Sequence, residues 1–325
     1  MHSSATQRAY AIGETLNASQ ETCASDTLYG NIPMPILHQF QVGNATVTRI
    51  TEQLLALPSS YLYPEWSAEA GEQNAKWLCE DHISADHQTL ALSVHAWLIQ
   101  VDGKVVLIDT ASGNGKQRPL NPVFHELDSP WMENLRTAGV TPEQVDYVVI
   151  THLHVDHVGW NTSQRDGKWV PTFPNATYLF SRAEYDFYSD PANVEDPSVG
   201  VFEDSVQPIV EAGLVRWIET EAEGLIPGLG FHLTKGHSHA HYSFSFASEQ
   251  ALALFTGDLM HHPIQVKKPE WNSVFCEFGE DARRSRLWAL NYAADSDALF
   301  FTSHFAGSSV GRVRRFDSQF EWIAQ

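Results

Sequence analysis

Three histidines and one aspartate within six residues constrain this chain more than any other stretch. Residues 151–159 read THLHVDHVG and directly follow the apolar run at 146–150. The β-branched and aromatic residues of that run predict a buried strand that ends in the histidine-rich loop. His152 and His154 are two residues apart, so in an extended backbone their side chains point to the same side. Because imidazole and carboxylate ligands suit zinc, iron, manganese and cobalt, the loop predicts a metal site.

Four further histidine and aspartate residues stand at the ends of predicted strands or in the loops that follow them. They are, in chain order, Asp109, His237, Asp258 and His304. Loops after strands are where a rigid fold gathers distant side chains at one edge of its sheets. We therefore expect these residues to lie close to the histidine-rich loop.

This ordered set of motifs resembles the metallo-β-lactamase-fold hydrolases, and above all their lactonase and methyl-parathion-hydrolase-like branch. The resemblance covers roughly residues 36–325 and implies an α/β fold of the αββα type, in which two mixed β-sheets lie face to face with helices outside. It predicts one catalytic domain at 36–325, preceded by an N-terminal arm at 1–35. The apolar segment at 32–37 favours packing of this arm on a second copy in a homodimer, with a disordered tail as the alternative.

The same resemblance implies the metal ligands and the cofactors. It implies two sets of ligands joined by one bridging carboxylate: His152, His154 and His237; Asp156, His157 and His304; and the bridge Asp258. A class B β-lactamase has cysteine at the bridging position, whereas a carboxylate makes the site harder and suits a binuclear centre. The expected cofactors are two divalent transition metals, zinc first, with manganese, iron and cobalt as alternatives.

A hydrolytic mechanism follows from such a centre. Two metals would share a bridging hydroxide and polarise a carbonyl or phosphoryl oxygen. We predict Asp156 and Asp258 as catalytic residues, Asp258 as the bridge and Asp156 as the proton carrier to the leaving group. Asp109 is expected to accept a hydrogen bond from a ligand histidine and so fix its tautomer, the alternative being a strand-end turn residue.

Aromatic residues near the motifs are candidate walls of a substrate pocket. Trp160 follows the metal loop, Trp271 follows the bridging aspartate, and Tyr185 lies in the segment where related lactonases place a tyrosine. Packing in the core is the alternative for all three. His239 is not assigned to metal. His261 and His262 are expected to shape the pocket or to bond to the backbone rather than to ligate.

The predicted function is metal-dependent opening of lactones or related esters, as in quorum-quenching lactonases, with phosphotriesters as a promiscuous side activity. Two enzyme alternatives remain: a glyoxalase II-like thioesterase, and a mononuclear-iron persulfide dioxygenase, which would leave half of the ligand set idle. A non-enzymatic metal-binding protein usually shows lost ligands, and none is lost. The formal net charge of −20 argues against a nucleic-acid partner.

The sequence also bears on the compartment. The N-terminus lacks the pattern of a signal peptide, and no run approaches the roughly 18 apolar residues of a membrane helix. Three widely spaced cysteines argue against a disulfide framework. We therefore expect a cytoplasmic enzyme that binds neither membrane nor nucleic acid, unless a leader was removed.

Overall fold

The computed structural model of the protein describes residues 37–78, 80–219 and 226–325. The N-terminal arm predicted at 1–35 lies outside these residues, so the arm and its role in a dimer stay predictions. Within the described ranges no helix is both long enough and apolar enough to cross a membrane.

Fifteen strands and seven α-helices make up the described part of the chain. The strands are β1 (Gln39–Val42), β2 (Ala45–Pro58), β3 (Thr89–Val101), β4 (Lys104–Ile108), β5 (Tyr147–Val149), β6 (Thr162–Arg165), β7 (Lys168–Pro171), β8 (Thr177–Ser181), β9 (Val215–Ile218), β10 (Leu229–Leu233), β11 (Tyr242–Ser248), β12 (Ala251–Phe255), β13 (Leu299–Phe301), β14 (Val310–Phe316) and β15 (Gln319–Ala324). The helices are α1 (Ser59–Leu62), α2 (Ala68–Leu78), α3 (Trp131–Thr137), α4 (Arg182–Tyr188), α5 (Gln207–Glu211), α6 (Ile264–Lys267) and α7 (Gly279–Ser296).

Two large mixed sheets confirm the predicted α/β class. The first sheet has the order β1-β2-β3-β4-β5-β8-β9, and the second has the order β10-β11-β12-β13-β14-β15. Neighbours from β1 to β4 are antiparallel, whereas β4, β5, β8 and β9 run parallel. In the second sheet only β12 and β13 form a parallel pair. Strands β6 and β7 form a separate hairpin.

The core between the sheets is aromatic. Trp97 of the first sheet packs edge-to-face on Phe301 of the second, with ring centroids 4.9 Å apart, and Phe255 stacks on Phe301 at 4.6 Å. Helices cover the outer faces: α3 buries Trp131 and Leu135 against the first sheet, and α7 packs an alanine- and leucine-lined face against the second. The two sheets and their outer helices form the layered sandwich that the sequence predicted.

Strand direction brings the candidate residues to one edge. Asp109 follows β4, the loop at 151–159 follows β5, and β4 and β5 are parallel. Asp258 follows β12 and His304 follows β13, which are also parallel. Strand β10, which leads towards His237, runs in the same direction as β12 because both are antiparallel to β11. Within each sheet, the carboxyl ends of these strands therefore lie on the same edge.

Candidate metal centre

Asp109 holds the histidine-rich loop against the end of β4. Its carboxylate accepts hydrogen bonds from the backbone N–H and the hydroxyl of Thr151 and from Nδ1 of His157, each at 2.8 Å. Asp109 has a φ of 60°, a conformation that few non-glycine residues adopt and that this network maintains. Gly159 lets the loop pack closely, because a Cβ there would overlap the Ser112 carbonyl. The bond to Asp109 leaves Nε2 of His157 directed towards the site.

Three imidazole nitrogens converge in the first set of predicted ligands. Nε2 of His237 lies 3.1 Å from Nε2 of His152 and 2.9 Å from Nδ1 of His154. Burial lowers the pKa of His152 and of His237 well below the usual value, which favours neutral rings with a free lone pair. Hydrogen bonds alone do not account for three nitrogens aimed at one point, whereas a shared cation does.

The second set of predicted ligands lies beside the first. Asp156 has one carboxylate oxygen 3.7 Å from Nε2 of His157 and the other 3.6 Å from Nε2 of His304. Nδ1 of His304 donates to the backbone carbonyl of Ser93 at 2.9 Å, so its Nε2 offers a lone pair to the site. This pattern, in which one ring nitrogen bonds to the protein and the other faces the centre, is typical of metal-ligating histidines.

Asp258 contacts both sets. Its Oδ1 lies 3.1 Å from Nε2 of His157, and its Oδ2 lies 2.9 Å from Nε2 of His304 and 3.3 Å from Nε2 of His237. Burial alone would raise the pKa of Asp258, but the imidazoles of His157 and His304 hold it well below the usual value. An ionised carboxylate between two groups of imidazoles has the position expected of a bridging ligand.

Two unsatisfied buried atoms also indicate that this donor set suits divalent metals. Nε2 of His157 and Oδ1 of Asp258 are buried and lie 3.1 Å apart, but they are not oriented for a hydrogen bond to each other, and neither has another partner among the described residues. Buried polar atoms are normally satisfied, so two orphaned atoms at one point indicate a missing partner of positive charge. The donor atoms group into overlapping sets: His152, His154 and His237; His152, His157 and Asp258; Asp156, His157 and His304; and His237, Asp258 and His261.

Glu277 and Tyr188 support His154 from outside, and sequence reasoning missed both. Glu277 Oε1 lies 2.8 Å from Nε2 of His154 and accepts a hydrogen bond from the Tyr188 hydroxyl at 2.8 Å. Burial alone would lower the pKa of His154, but the hydrogen bond and the charge of Glu277 raise it. No local motif marks either residue, because Glu277 is 123 positions from His154 in the sequence.

Glu184 connects the two loops that carry the first set. Its carboxylate accepts hydrogen bonds from the Ser238 hydroxyl at 2.7 Å, from the backbone N–H of Ala240, and from that of Leu153 at 3.3 Å. Glu184 is fully buried, and burial raises its pKa. This side chain therefore fixes the loop around His237 relative to the histidine-rich loop.

Of the two tryptophans predicted as pocket walls, Trp160 packs in the core, and the pocket role of Trp271 stays a prediction. Trp160 stacks on Trp131 with centroids 5.5 Å apart and donates its indole N–H to Glu52 at 2.9 Å. It therefore belongs to the hydrophobic core between α3 and the first sheet. Trp271 packs at 6.0 Å against Tyr63 in an aromatic cluster beside α1. For Trp160 the core alternative describes the structure, because its polar atom is satisfied away from the ligands.

The tyrosine beside the site is Tyr188 rather than Tyr185. The Tyr185 hydroxyl bonds to Gln207 at 3.1 Å, and its ring packs 4.8 Å from that of Trp217 on the outer side of α4. The Tyr188 hydroxyl lies 3.5 Å from Nε2 of His154. The sequence analysis named Tyr185, but Tyr188, three residues and nearly one turn of α4 further on, is the tyrosine that faces His154.

Two of the additional histidines do not contact the ligands. His239 stacks on Phe187 with centroids 4.1 Å apart. His262 bonds through Nε2 to the backbone carbonyl of His82 at 3.0 Å, as expected of a histidine that bonds to backbone. His261 differs from both, because its Nε2 lies 3.4 Å from Oδ2 of Asp258.

The fold and this arrangement of histidines and aspartates are those of a metallohydrolase, and the comparisons agree. The model of the metallo-beta-lactamase superfamily matches residues 90–304, so the chain belongs to that superfamily. An N-acyl homoserine lactonase, AttM of Rhizobium johnstonii, is 36% identical over 66 residues, which are 20% of this chain and 22% of that protein. An N-acyl homoserine lactonase of Bacillus cereus is 26% identical over 183 residues, 52% of this chain and 64% of that protein. These matches thus span less than two thirds of either lactonase.

A solved structure extends the likeness over nearly the whole fold. AidC, a dizinc quorum-quenching lactonase in complex with a product, N-hexnoyl-L-homoserine, superposes with a TM-score of 0.72 at 21% sequence identity. The match covers 89% of this chain and 97% of that one. At this identity it shows that the two proteins share the fold.

Proposed function

We propose that the protein is a binuclear metal-dependent hydrolase that opens lactones and related esters. The observation that carries the proposal is the convergence of the two donor sets on the Asp258 carboxylate, which lies 3.1 Å from His157 and 3.3 Å from His237. Relatives named as N-acyl homoserine lactonases and a dizinc structural neighbour support it.

The reaction adds water across the acyl C–O bond. The water oxygen bonds to the acyl carbon, and the ring oxygen leaves with the electron pair and takes up a proton. Two divalent metals bound here would polarise the carbonyl and lower the pKa of a water molecule. Asp156 is the more exposed of the two ligand carboxylates, with 15% of its side chain accessible against 4% for Asp258. We therefore propose that Asp156 carries a proton from the attacking water to the leaving oxygen.

Charge and apolar surface narrow the substrate class. The formal net charge of −20 repels polyanions, so we expect uncharged or weakly charged esters. Tyr61 packs edge-on against Phe275, whose ring in turn lies 5.4 Å from that of His261. An apolar surface this close to the candidate ligands suits an acyl chain or an aromatic leaving group. Because a metal pair needs only a polarisable oxygen and a leaving group, phosphotriesters are expected as side substrates.

A substrate panel tests the proposal. Metal-replete protein should be assayed against acyl-homoserine lactones, simple lactones, aryl esters, a phosphotriester, a glutathione thioester and a β-lactam. We expect the highest kcat/KM with lactones and two metals per chain by elemental analysis. Inert lactones and a preferred thioester would favour the glyoxalase II-like alternative. One iron per chain would favour the dioxygenase.

A further inference from the structure

We propose that His261 is a further catalytic residue, whose Nε2–H donates a hydrogen bond to the carbonyl oxygen of the bound substrate. The proposal rests on the ester hydrolysis proposed above and begins with an orphaned atom. His261 is only 2% exposed, and its Nε2 has no hydrogen-bond partner among the described residues. Burying a polar atom without a partner costs free energy, so the atom requires an explanation.

Hydrogen bonds on the side away from Asp258 fix the orientation of the His261 ring. Its Nδ1 lies 3.1 Å from the Ser273 hydroxyl, and its backbone N–H donates to Oε1 of Gln265 at 2.7 Å. The same Gln265 oxygen accepts a hydrogen bond from the Tyr63 hydroxyl at 2.8 Å. When Ser273 donates to Nδ1, the neutral ring carries its proton on Nε2. A network of buried groups therefore directs an N–H into the site.

This N–H lies beside the oxygen that the two donor sets share. Nε2 of His261 is 3.4 Å from Oδ2 of Asp258, beyond the range of about 2.7–3.2 Å for an N–H···O hydrogen bond. The His261 ring is parallel to that of His304, with centroids 5.2 Å apart. The reacting atoms of a bound ester must lie close to the shared carboxylate, and hence close to this nitrogen.

His261 is surplus as a metal ligand. Two divalent metals held here would each have three donors of their own besides the shared Asp258, and three protein ligands is the usual number for a catalytic zinc. A fifth protein donor would take the position that a catalytic metal keeps open for water or substrate. An N–H beside that position can instead contact an oxygen bound there.

The chemistry of the ester gives this N–H a role. As water adds to the acyl carbon, the electron pair of the C=O bond moves onto the carbonyl oxygen, and it returns when the C–O bond to the leaving oxygen breaks. His261 keeps its proton throughout and stabilises the charge that develops between these events. The partly buried Phe275, 5.4 Å from the His261 ring, limits access of water on one side. A fixed donor in such surroundings is worth more than in open solvent.

Two variants and a matched control test the role. His261→Leu removes the donor at similar volume, and His261→Gln restores an N–H. We expect His261→Leu to lower kcat about 10²–10³-fold, the usual effect of losing one such donor, with a much smaller change in KM. It should retain two metals per chain and the wild-type midpoint in a chelator titration. His261→Gln should recover part of kcat.

His262→Gln is the control, because His262 is the neighbouring residue and equally buried but bonds to the His82 carbonyl. The kcat of the folded His262→Gln protein should equal that of the wild type. Loss of metal in His261→Leu would show that His261 is a ligand, and an unchanged kcat would show that it has no role; either result overturns the proposal. If His261→Leu does not fold, Ser273→Ala, which frees the ring, should lower kcat with both metals retained. Wild-type protein inactive on every ester would instead refute the proposed function itself.

Discussion

The two donor sets of the candidate centre are supported in different ways. His157 is bonded to Asp109, and both side chains are almost fully buried, at 1% and 2% exposure. His154 is bonded to Glu277 over the same distance of 2.8 Å, but these side chains are 15% and 33% exposed. Water competes little for a buried hydrogen bond and readily replaces an exposed one. The support of His157 is therefore buried in the fold, whereas the support of His154 is partly open to water.

The shared carboxylate should give the largest effect, because both halves depend on it. We expect Asp258→Ala to lose at least one of two bound metals, by elemental analysis, together with hydrolysis. Removing the metals from wild-type protein with a chelator should abolish activity, and adding zinc should restore it. Asp258→Ala protein that keeps both metals and full activity would rule out the bridging role.

The second-largest effect should come from Asp109, the buried side chain that supports His157. Asp109→Ala removes the acceptor of the His157 Nδ1–H and both bonds to Thr151. We expect metal affinity to fall close to 100-fold, the upper end of the usual range of about 10–100-fold for an outer partner. A chelator titration measures it, and circular dichroism should show that the fold is retained. Unchanged affinity would return Asp109 to the role of a turn residue.

Glu277, the partly exposed side chain that supports His154, should affect metal affinity less. Glu277→Ala should weaken metal affinity only about tenfold, the lower end of that range, because water can replace the lost acceptor of the His154 N–H. Glu277→Gln keeps a carbonyl oxygen and should restore most of the affinity. If Glu277→Ala proves as damaging as Asp109→Ala in the same titration, the contrast between a buried and a partly exposed support is wrong.

The same contrast explains what the sequence could predict. Asp109 and the predicted ligands are next to strand ends, and the periodicity of apolar residues marks those ends. Glu277 lies in a loop between α6 and α7 with no local pattern, and only the folded chain brings it to His154. Most strands are predictable from their apolar residues, whereas β14 and the hairpin β6–β7 are not, because β14 carries three arginines in seven residues and β6 and β7 have only four residues each.

Aromatic residues limit sequence reasoning for a related reason. Trp160 is adjacent to the metal loop in sequence, yet the chain turns after Gly159 and directs the indole to Glu52 in the core. Tyr185 and Tyr188 differ only in the face of α4 that they occupy. Whether a large apolar residue lines a pocket or fills a core depends on contacts from distant segments, which proximity to a motif does not reveal.

We expect the smallest effect from the two buried carboxylates that hold the loops, those of Glu184 and Glu52. It should appear as a change in how the free energy of unfolding depends on pH. Glu184 on the side of His154 and Glu52 on the side of His157 are both buried, and burial raises the pKa of each. A carboxyl group whose folded pKa is raised stabilises the fold fully below its unfolded pKa and loses that contribution as pH rises through the folded pKa. Glutamine has no charge to bury, so Glu184→Gln should lack this decline.

Urea unfolding of metal-free protein from pH 4.5 to pH 8 measures the difference. The free energy of unfolding of Glu184→Gln, relative to wild type, should rise with pH, and Glu52→Gln should behave in the same direction. The effect should be modest, because glutamine still offers an acceptor to Ser238 and Ala240, which now bond to the carboxylate. Parallel stability curves for Glu184→Gln and wild type would mean that Glu184 titrates as it does in the unfolded chain. In that case the loop on the side of His154 is open to water at Glu184 as well as at Glu277.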